Sequence, residues 1–303
     1  MSKPALVYHY WNDRQVHVWE DWQNPILISI ASARAFNPDI PIYVLDVSNH
    51  QRNWLDYPHK LNFKCIPCES QIPLLKTNEI YGSSYKICSR QFDIDWLARK
   101  IPEDIIISVE SDIFWMADPC PLPEPIDRFF FNFYNSGFYY YNKNSDLAKR
   151  FLKVWRHYII MGMSNPKVQA EIMSKYKWDY FQDEAAMVYI VKSFGGMAGP
   201  CPDNLNVLFN PFKSWDEHYK NAWNLHLIGA FFPKNRGLLG LMFEPFYEVI
   251  KTVLSPQQLY DIYGPDYELL AGKININDIK YTNLAYVKKS KGDCLENVSK
   301  LMC

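Results

Sequence analysis

Long apolar runs are absent from this sequence of 303 residues. A membrane-spanning helix needs roughly 18 or more consecutive apolar residues, and no segment offers them, so no transmembrane helix is expected. Residues 1–13 (MSKPALVYHYWND) turn apolar within five residues, which leaves no room for the charged leader and apolar stretch of a secretory signal. A cytoplasmic location is the expectation that follows.

An excess of charge of either sign is also absent. Lysine plus arginine number 32 and aspartate plus glutamate 33, so no overall field favours nucleic acid as a partner. Seven cysteines, an odd count in a long chain, argue for reduced thiols and against a disulfide framework. Cys65 and Cys68 have the spacing of zinc ligands, but no second pair matches it, and small buried residues at a strand end are the better interpretation.

Apolar and aromatic residues are plentiful. The apolar fraction of 48% and the charged fraction of 21% are typical of a folded protein with a large core. Aromatic residues make up 16% of the chain and suit a cleft that stacks rings on flat ligands such as bases and sugars. The length allows one large α/β domain or two small ones, and we expect one domain with a C-terminal extension.

Strand and helix patterns alternate along the N-terminal part of the chain. Ala5–His9 and Pro41–Asp46 have strand patterns, and between them apolar residues from Ile26 to Phe36 recur on one helical face. A weaker strand at Phe63–Ile66 and a helix over Ile87–Ala98 follow. This order predicts an α/β fold with a mostly parallel sheet, which binds ligands at the carboxyl ends of its strands.

A pair of acids follows the most apolar strand of the sequence. Ile105–Val109 is apolar enough to be a central strand covered on both faces, and Glu110 and Asp112 come directly after it. Two carboxylates at this spacing offer oxygen ligands through which a hard divalent ion can bridge to a diphosphate. Taken alone, the acid pair would be better explained as part of a solvated turn. Here, however, it lies between apolar residues, namely the strand before it and residues 113–119 after it.

The pattern changes after the acid pair. Phe129–Tyr134 and Gly137–Asn142 predict two further strands, and Asp146–Met161 and Phe181–Ser193 predict helices. A helix-like stretch at Phe246–Leu254 precedes a poorly patterned tail that contains several lysines.

The acid turn in its apolar surroundings resembles the DxD region of GT-A-fold glycosyltransferases. Three further segments resemble motifs of that family and occur in the family's order. Residues 135–138 (NSGF) resemble its NSG strand, residues 182–187 (QDEAAM) its DQxAL helix start, and residues 225–229 (LHLIG) its late HFxG histidine. The resemblance extends over about residues 5–236 and is closest to the glycogenin-like and capsular-sugar branches.

The resemblance implies a fold and an activity. It implies a single Rossmann-like GT-A domain at residues 1–245, with a nucleotide-binding half at 1–112 and a sugar and acceptor half at 113–245. Residues 246–303 would form a helical extension and tail. The implied enzyme moves a sugar from a nucleoside-diphosphate sugar, foremost a UDP-sugar, to a hydroxyl of a glycan or glycoconjugate.

The resemblance also implies a metal site. Glu110, Asp112 and His226 would hold Mn²⁺ or Mg²⁺, and a shell of imidazole and carboxylate fits manganese somewhat better. Glu110 departs from the family's usual aspartate, so its longer arm is expected to reach the ribose or a metal-bound water. For His226 the alternative is a core histidine with a satisfied hydrogen bond.

Further candidates for donor binding come from the motifs and from aromatic or basic residues elsewhere. They are Tyr8, Tyr10, Asn12, Asp46, Arg90, Ser111, Asn135, Ser136, Gly137, Lys234 and Arg236. The two tyrosines and Asn12 would lie over the end of the first strand, where alternation lets only some of them face a ligand. Asp46 serves equally well as a loop cap. Arg90, four residues after Lys86, offers a fork against the diphosphate, whereas Lys234 and Arg236 also fit a solvated basic loop.

The catalytic candidates are Asp183 and Glu184. In an inverting enzyme one of them would be the general base that deprotonates the acceptor, whereas in a retaining enzyme the leaving phosphate takes that proton and Asp183 stabilises the oxocarbenium-like centre. The resemblance favours retention. Capping of a helix by Asp183 is the structural alternative.

Two other functions compete with a sugar transferase. A nucleotidyltransferase shares the sheet and the acid pair, but it needs a glycine-rich loop after the first strand, and residues 10–14 (YWNDR) contain no glycine. A non-catalytic carbohydrate-binding relative remains open because Glu110 departs from the motif. Lys288, Lys289 and Lys291 allow peripheral contact with an anionic membrane, although a solvated tail is the default interpretation.

Overall fold

The computed structural model describes residues 3–11, 23–48, 57–72, 82–132, 135–175, 181–209, 215–227, 246–255 and 257–258. Its strands are β1 (Pro4–Tyr10), β2 (Ile42–Asp46), β3 (Lys64–Pro67), β4 (Ile105–Val109), β5 (Ile113–Trp115), β6 (Phe129–Asn132), β7 (Asn135–Asn142), β8 (Ala198–Pro200), β9 (Val207–Leu208) and β10 (Asn224–His226). Its helices are α1 (Gln23–Phe36), α2 (Tyr57–Lys60), α3 (Gly82–Ala98), α4 (Asp146–Ser164), α5 (Pro166–Ser174), α6 (Asp183–Phe194) and α7 (Trp215–His218).

The larger sheet has the strand order β3-β2-β1-β4-β7-β6-β8. Its N-terminal strands β1 to β4 are parallel, with Tyr8 of β1 opposite Val109 of β4. Every residue of β4 is buried, as expected for a central strand with helices on both faces. The predicted α/β fold with a mostly parallel sheet is therefore confirmed.

The sheet reverses direction at β7. This strand is antiparallel to β4 and to β6, so its first residues lie beside the end of β4, and Phe138 pairs with Val109. β7 begins at Asn135, two residues before the predicted start, which places the whole NSG segment inside the sheet. A second sheet, in the order β5-β10-β9, consists of strands of two or three residues that the sequence pattern did not predict.

Two hydrophobic cores cover the faces of the larger sheet. The alternation of β7 divides its aromatic rings, because Phe138 and Tyr140 enter the core that includes α1, while Tyr139 and Tyr141 enter the core that includes α3, α4 and α6. Helix α4 begins at residue 146 as predicted, and the hydroxyl of its N-cap, Ser145, accepts a hydrogen bond from the Ala148 amide at 3.2 Å.

The C-terminal described segment belongs to the α1-side core. Residues 246–250 are helical, and Phe246, Ile250 and Leu254 are each 1% exposed. The ring of Phe246 lies 4.5 Å from that of Phe114 in β5. The helix predicted near Phe246 is thus present and packs against the predicted catalytic unit, while the division at residue 245 stays a prediction. No described helix combines the length and apolarity needed to cross a membrane.

Candidate active site

The acid turn is fixed at both ends by backbone hydrogen bonds. The Glu110 amide donates to the Gly137 carbonyl of β7 at 2.8 Å, and the Asp112 carbonyl accepts from the Leu227 amide after β10 at 2.9 Å. Ser111 lies at the centre of the turn and is partly exposed. The turn therefore joins the larger sheet to the smaller one, and its backbone has little freedom to move.

Glu110, Asp112 and His226 meet at this turn. Their ligand atoms all lie within 4.8 Å of one another. His226 Nε2 is 3.2 Å from Asp112 Oδ1 and 3.5 Å from Glu110 Oε2. Pairing of β10 with β5 sets this arrangement, since His226 is opposite Ile113, directly after the turn. The three residues predicted to hold a metal are thus brought together.

The surroundings of this cluster fit a divalent cation. His226 is 2% exposed, and its Nδ1 has no hydrogen-bond partner among the described residues. Burial by itself lowers the pKa of His226, but the charges of Asp112 and Glu110 outweigh burial and raise it. Two carboxylates beside one imidazole offer oxygen and nitrogen atoms, a combination that Mn²⁺ accepts as ligands.

Gly137 leaves room for the cluster. A Cβ atom at this position would lie 2.5 Å from His226 Cε1 and 2.6 Å from both Glu110 Oε2 and Asn135 Oδ1. These separations are shorter than real Cβ contacts, so any side chain here would displace the candidate ligands. The glycine of the NSG segment therefore has a steric role, and Asn135 supports it by accepting a hydrogen bond from the Gly137 amide at 2.6 Å.

Arg90, predicted to face the diphosphate, lies beside the acid turn. Its guanidinium is buried and pairs with Glu110 Oε1 at 2.6 Å and with Asp183 Oδ2 at 2.9 Å. It also donates to the hydroxyl and carbonyl of Ser136 at 2.8 and 3.0 Å. Burial by itself lowers the pKa of Arg90, but Asp183 and Glu110 outweigh burial and raise it. In this structure the fork of Arg90 is directed at two acids of the protein itself, and its contact with a diphosphate stays a prediction.

The two catalytic candidates begin α6, and both carboxylates are held from outside the helix. Asp183 Oδ2 accepts from Arg90 and also from Gln91 Nε2 at 2.5 Å, while Tyr139 holds the far side of Gln91 at 2.6 Å. Glu184 Oε2 accepts from the Ser136 amide at 3.0 Å. The N-cap residue is Gln182, and Asp183 Oδ1 also accepts from the Glu184 backbone amide at 2.9 Å, so the Asp183 carboxylate contacts both the first turn of α6 and Arg90. Asp183, Glu184 and the NSG segment therefore lie at one edge with the acid turn.

Three residues that were predicted to contact the nucleotide-sugar donor lie away from this cluster. Tyr8 is fully buried in the α1-side core, where its hydroxyl bonds to Ser29 at 2.8 Å and burial raises its pKa to about 12. Tyr10 is 1% exposed in the same core. Because the core covers this face of the sheet, the burial of both rings gives no support to their predicted stacking on a ligand, which stays a prediction. Asp46 Oδ1 accepts from the Ser48 amide at 3.0 Å, which is the loop-capping alternative.

Some predictions fall on residues outside the described ranges. They concern Asn12, Lys234, Arg236, the side chain of Lys86, the last two residues of the HFxG-like segment, and the tail lysines.

Sequence reasoning overlooked several polar residues of the site. Gln91 was missed although it adjoins Arg90. Asn206 and Asn224 are fully buried, and the Asn206 amide donates to Asn224 Oδ1 at 2.5 Å. Asn224 precedes His226 by two residues on the same strand and so shares its face of the sheet. This spacing of two residues from His226 was the sequence signal that could have indicated Asn224.

Comparison with known proteins gives structural matches alone. A scan against protein-family models and a search of curated protein sequences both find no match. Among solved structures, the galactosyltransferase LgtC in complex with donor and acceptor sugar analogs is similar, with 16% identity and a TM-score of 0.50 over 83% of this chain and 96% of that one. The chain has the GT-A fold.

Two further solved structures support the assignment of the GT-A fold. An active-site mutant of LgtC has 16% identity and a TM-score of 0.53, over 86% of this chain and 99% of that one. The bifunctional glycosyltransferase WbbM in its apo form has 13% identity and a TM-score of 0.51, over 86% of this chain and 51% of that one. The resemblance of four short segments to GT-A motifs is therefore matched by the fold of most of the chain.

Proposed function

We propose that the protein is a glycosyltransferase that uses a divalent cation to move a sugar from a nucleoside-diphosphate sugar to a hydroxyl acceptor. One observation carries this proposal, namely the convergence of Glu110, Asp112 and His226 beside the two acids that begin α6, at the ligand edge of a GT-A fold. The expected donor is a UDP-sugar and the expected acceptor a glycan or glycoconjugate.

The charge of the site supports a role for a cation. The site contains four carboxylates, those of Glu110, Asp112, Asp183 and Glu184, and one guanidinium, that of Arg90, which leaves three formal negative charges before His226 is counted. Such an edge would repel a diphosphate. Glu110, Asp112 and His226 would hold a Mn²⁺ ion at this edge. The ion would supply the Lewis acidity that neutralises charge developing on the leaving diphosphate.

The immobilisation of Asp183 supports a retaining reaction. One of its oxygens already accepts hydrogen bonds from both Arg90 and Gln91, so the carboxylate is held in a single orientation. A fixed carboxylate suits the stabilisation of positive charge at the anomeric carbon. We assign that role to Asp183, with the departing phosphate taking the acceptor's proton. Glu184, anchored on the Ser136 amide, borders the same space and remains the candidate base for an inverting reaction.

Other parts of the proposal rest on residues outside the described ranges or on the sequence alone. Lys234 and Arg236 are proposed to contact the diphosphate, and Asn12 to contact the nucleotide. A cytoplasmic location and peripheral membrane contact through the tail lysines are proposed on composition.

The test combines binding and turnover. Nucleoside diphosphates and nucleotide sugars are screened for a rise in melting temperature with and without Mn²⁺, since a ligand that binds the folded state raises it with occupancy. Donor hydrolysis is then measured in the wild type, Asp112→Asn and the matched surface variant Asp146→Asn, whose side chain is 90% exposed. We expect Mn²⁺-dependent binding and hydrolysis that Asp112→Asn abolishes and Asp146→Asn keeps.

Distinct outcomes separate the alternatives. Donor binding without hydrolysis under any metal would favour a non-catalytic sugar-binding protein. Stabilisation by nucleoside triphosphates in preference to nucleotide sugars would favour a nucleotidyltransferase. If no nucleotide changes the melting temperature with either metal, and Asp112→Asn behaves as the wild type, the proposed function is abandoned.

A further inference from the structure

Glu110 is the residue at which the acid pair departs from the GT-A pattern, and its two oxygens have different partners. Oε1 lies 2.6 Å from Arg90, whereas Oε2 faces His226 at 3.5 Å within the candidate metal cluster. The side chain is 35% exposed, compared with 8% for Asp112 and 3% for His226. Because packing restrains Glu110 less than the other two, its hydrogen bond to Arg90 is the contact that sets its orientation.

Arg90 joins this acid to the start of α6. One terminal nitrogen of its guanidinium bonds to Glu110, and the other bonds to Asp183 and to Ser136. The planar guanidinium fixes the angle between these two arms. Glu110 and Asp183 are therefore held in register by a single buried side chain, although they lie 73 residues apart in sequence.

An aspartate at position 110 would not make the same bridge. Its carboxylate ends one carbon–carbon bond earlier, about 1.5 Å closer to the backbone. Because the turn is fixed by backbone hydrogen bonds to Gly137 and Leu227, the backbone cannot advance to compensate. A contact of 2.6 Å would then open to roughly 4 Å, beyond hydrogen-bonding distance.

We propose that Arg90 is a positioning residue that holds Glu110 toward the cation and Asp183 toward the reaction centre at once, and that this arrangement requires glutamate at position 110. The inference rests on the proposed function. Glu110 offers one oxygen to the cation and keeps the other on Arg90. Glu110→Asp, which introduces the acid usual in GT-A enzymes, therefore weakens the site of this protein.

The first measurement is Mn²⁺ affinity without nucleotide, by titration calorimetry or by the paramagnetic signal of free Mn²⁺. Loss of a partner that orients a metal ligand typically costs on the order of 10- to 100-fold in affinity, so Glu110→Asp and Arg90→Lys are each expected to raise the Kd at least about tenfold. The double variant is expected to resemble the worse single variant, because both changes remove the same bond. Arg156→Lys is the matched control, since it alters an arginine–aspartate pair between α3 and α4 away from the site.

The second measurement separates the two arms of Arg90. Glu110→Asp leaves the contact between Arg90 and Asp183 intact, so its kcat for donor hydrolysis is expected to recover at saturating Mn²⁺. Arg90→Lys loses the fork and frees Asp183 as well, so its kcat is expected to stay low at any Mn²⁺ concentration. Metal-free melting temperatures show that each variant is folded.

Several results would overturn the inference. Wild-type Mn²⁺ affinity in Glu110→Asp, independent and multiplying losses in the double variant, or recovery of kcat by Arg90→Lys would each show that Arg90 does not act as proposed. A wild type that binds Mn²⁺ and hydrolyses a donor, with a variant giving one of these results, refutes this inference alone. A wild type that binds neither Mn²⁺ nor nucleotide refutes the proposed function and this inference with it.

Discussion

Gly137→Ala tests whether the space beside the NSG segment exists for the candidate metal ligands. The added methyl group would stand 2.5 Å from His226 Cε1 and 2.6 Å from Glu110 Oε2, whereas ordinary contact begins at 3.4 Å. Both ligands would have to withdraw by 0.8 to 0.9 Å to reach that distance. Metal sites tolerate deviations of only about 0.2 Å in their bond lengths, so the site cannot absorb this displacement.

The expected result is a large loss of metal affinity with a moderate loss of stability. Overpacking of this kind costs about 1–3 kcal/mol of folding free energy. We expect the Kd for Mn²⁺ to rise on the order of tenfold or more, as for other disturbances of ligand orientation. Mn²⁺ titration calorimetry and a metal-free thermal melt of the same preparation give the two quantities separately.

Gly162→Ala is the matched control. A Cβ at Gly162 in α4 would collide with the ring of Phe181, so this variant should also lose stability, but it lies outside the metal cluster. We expect it to keep the wild-type affinity for Mn²⁺. Equal affinities in Gly137→Ala and the wild type would refute the steric role of the glycine, and equal losses in both alanine variants would reduce the effect to general destabilisation.

Three other substitutions probe the surroundings of the site. Tyr139→Phe removes the hydroxyl that holds Gln91 against Asp183, so kcat for donor hydrolysis should fall while the Kd for Mn²⁺ is unchanged; an unchanged kcat would count against the role of Asp183. Tyr8→Phe removes one buried hydrogen bond and should lower the free energy of unfolding by about 1 kcal/mol in a denaturant titration. Donor affinity should not change, and weaker donor binding would support the predicted contact of Tyr8 with the donor. Asn224→Ala removes the acceptor of the buried Asn206 backbone amide, so the free energy of unfolding should fall by about 1–3 kcal/mol in the same titration. A stability equal to that of the wild type would show that this backbone amide finds another partner.

The sequence predicted the acid turn well because β4 carries an unambiguous signal. Ile105–Val109 is apolar throughout, and the ligand edge of a parallel sheet lies at the end of such a strand. The short strands β5, β9 and β10 were out of reach, since two or three residues do not establish a period. Yet β10 is what brings His226 to the acids, so its convergence with Asp112 was available through the family resemblance alone.

The contacts of Tyr8 and Arg90 differ from those expected for different physical reasons. Alternation along β1 predicts that Tyr8 and Tyr10 share a face, but it does not tell whether that face meets a ligand or a helix, and here α1 covers it. Arg90 lies beside the acid turn as expected, but the sequence did not indicate its acid partners. The acids that compete for its guanidinium, Glu110 and Asp183, come together through tertiary contacts that spacing along the chain does not reveal.

The network around Asp183 favours an enzyme over a protein that merely binds sugars. Arg90 and Asp183 are both almost fully buried, and a buried ion pair commonly adds no stability over apolar side chains of similar volume. Gln91 and Tyr139 are also committed to this one carboxylate, which implies that its orientation is under constraint. A binding site gains affinity from contacts with its ligand and needs no such fixing of a charge, whereas an enzyme needs the charge in place before the transition state forms. Donor hydrolysis by the wild type distinguishes the two, and a loss of kcat in Tyr139→Phe with unchanged binding of Mn²⁺ and donor would tie that turnover to the orientation of Asp183.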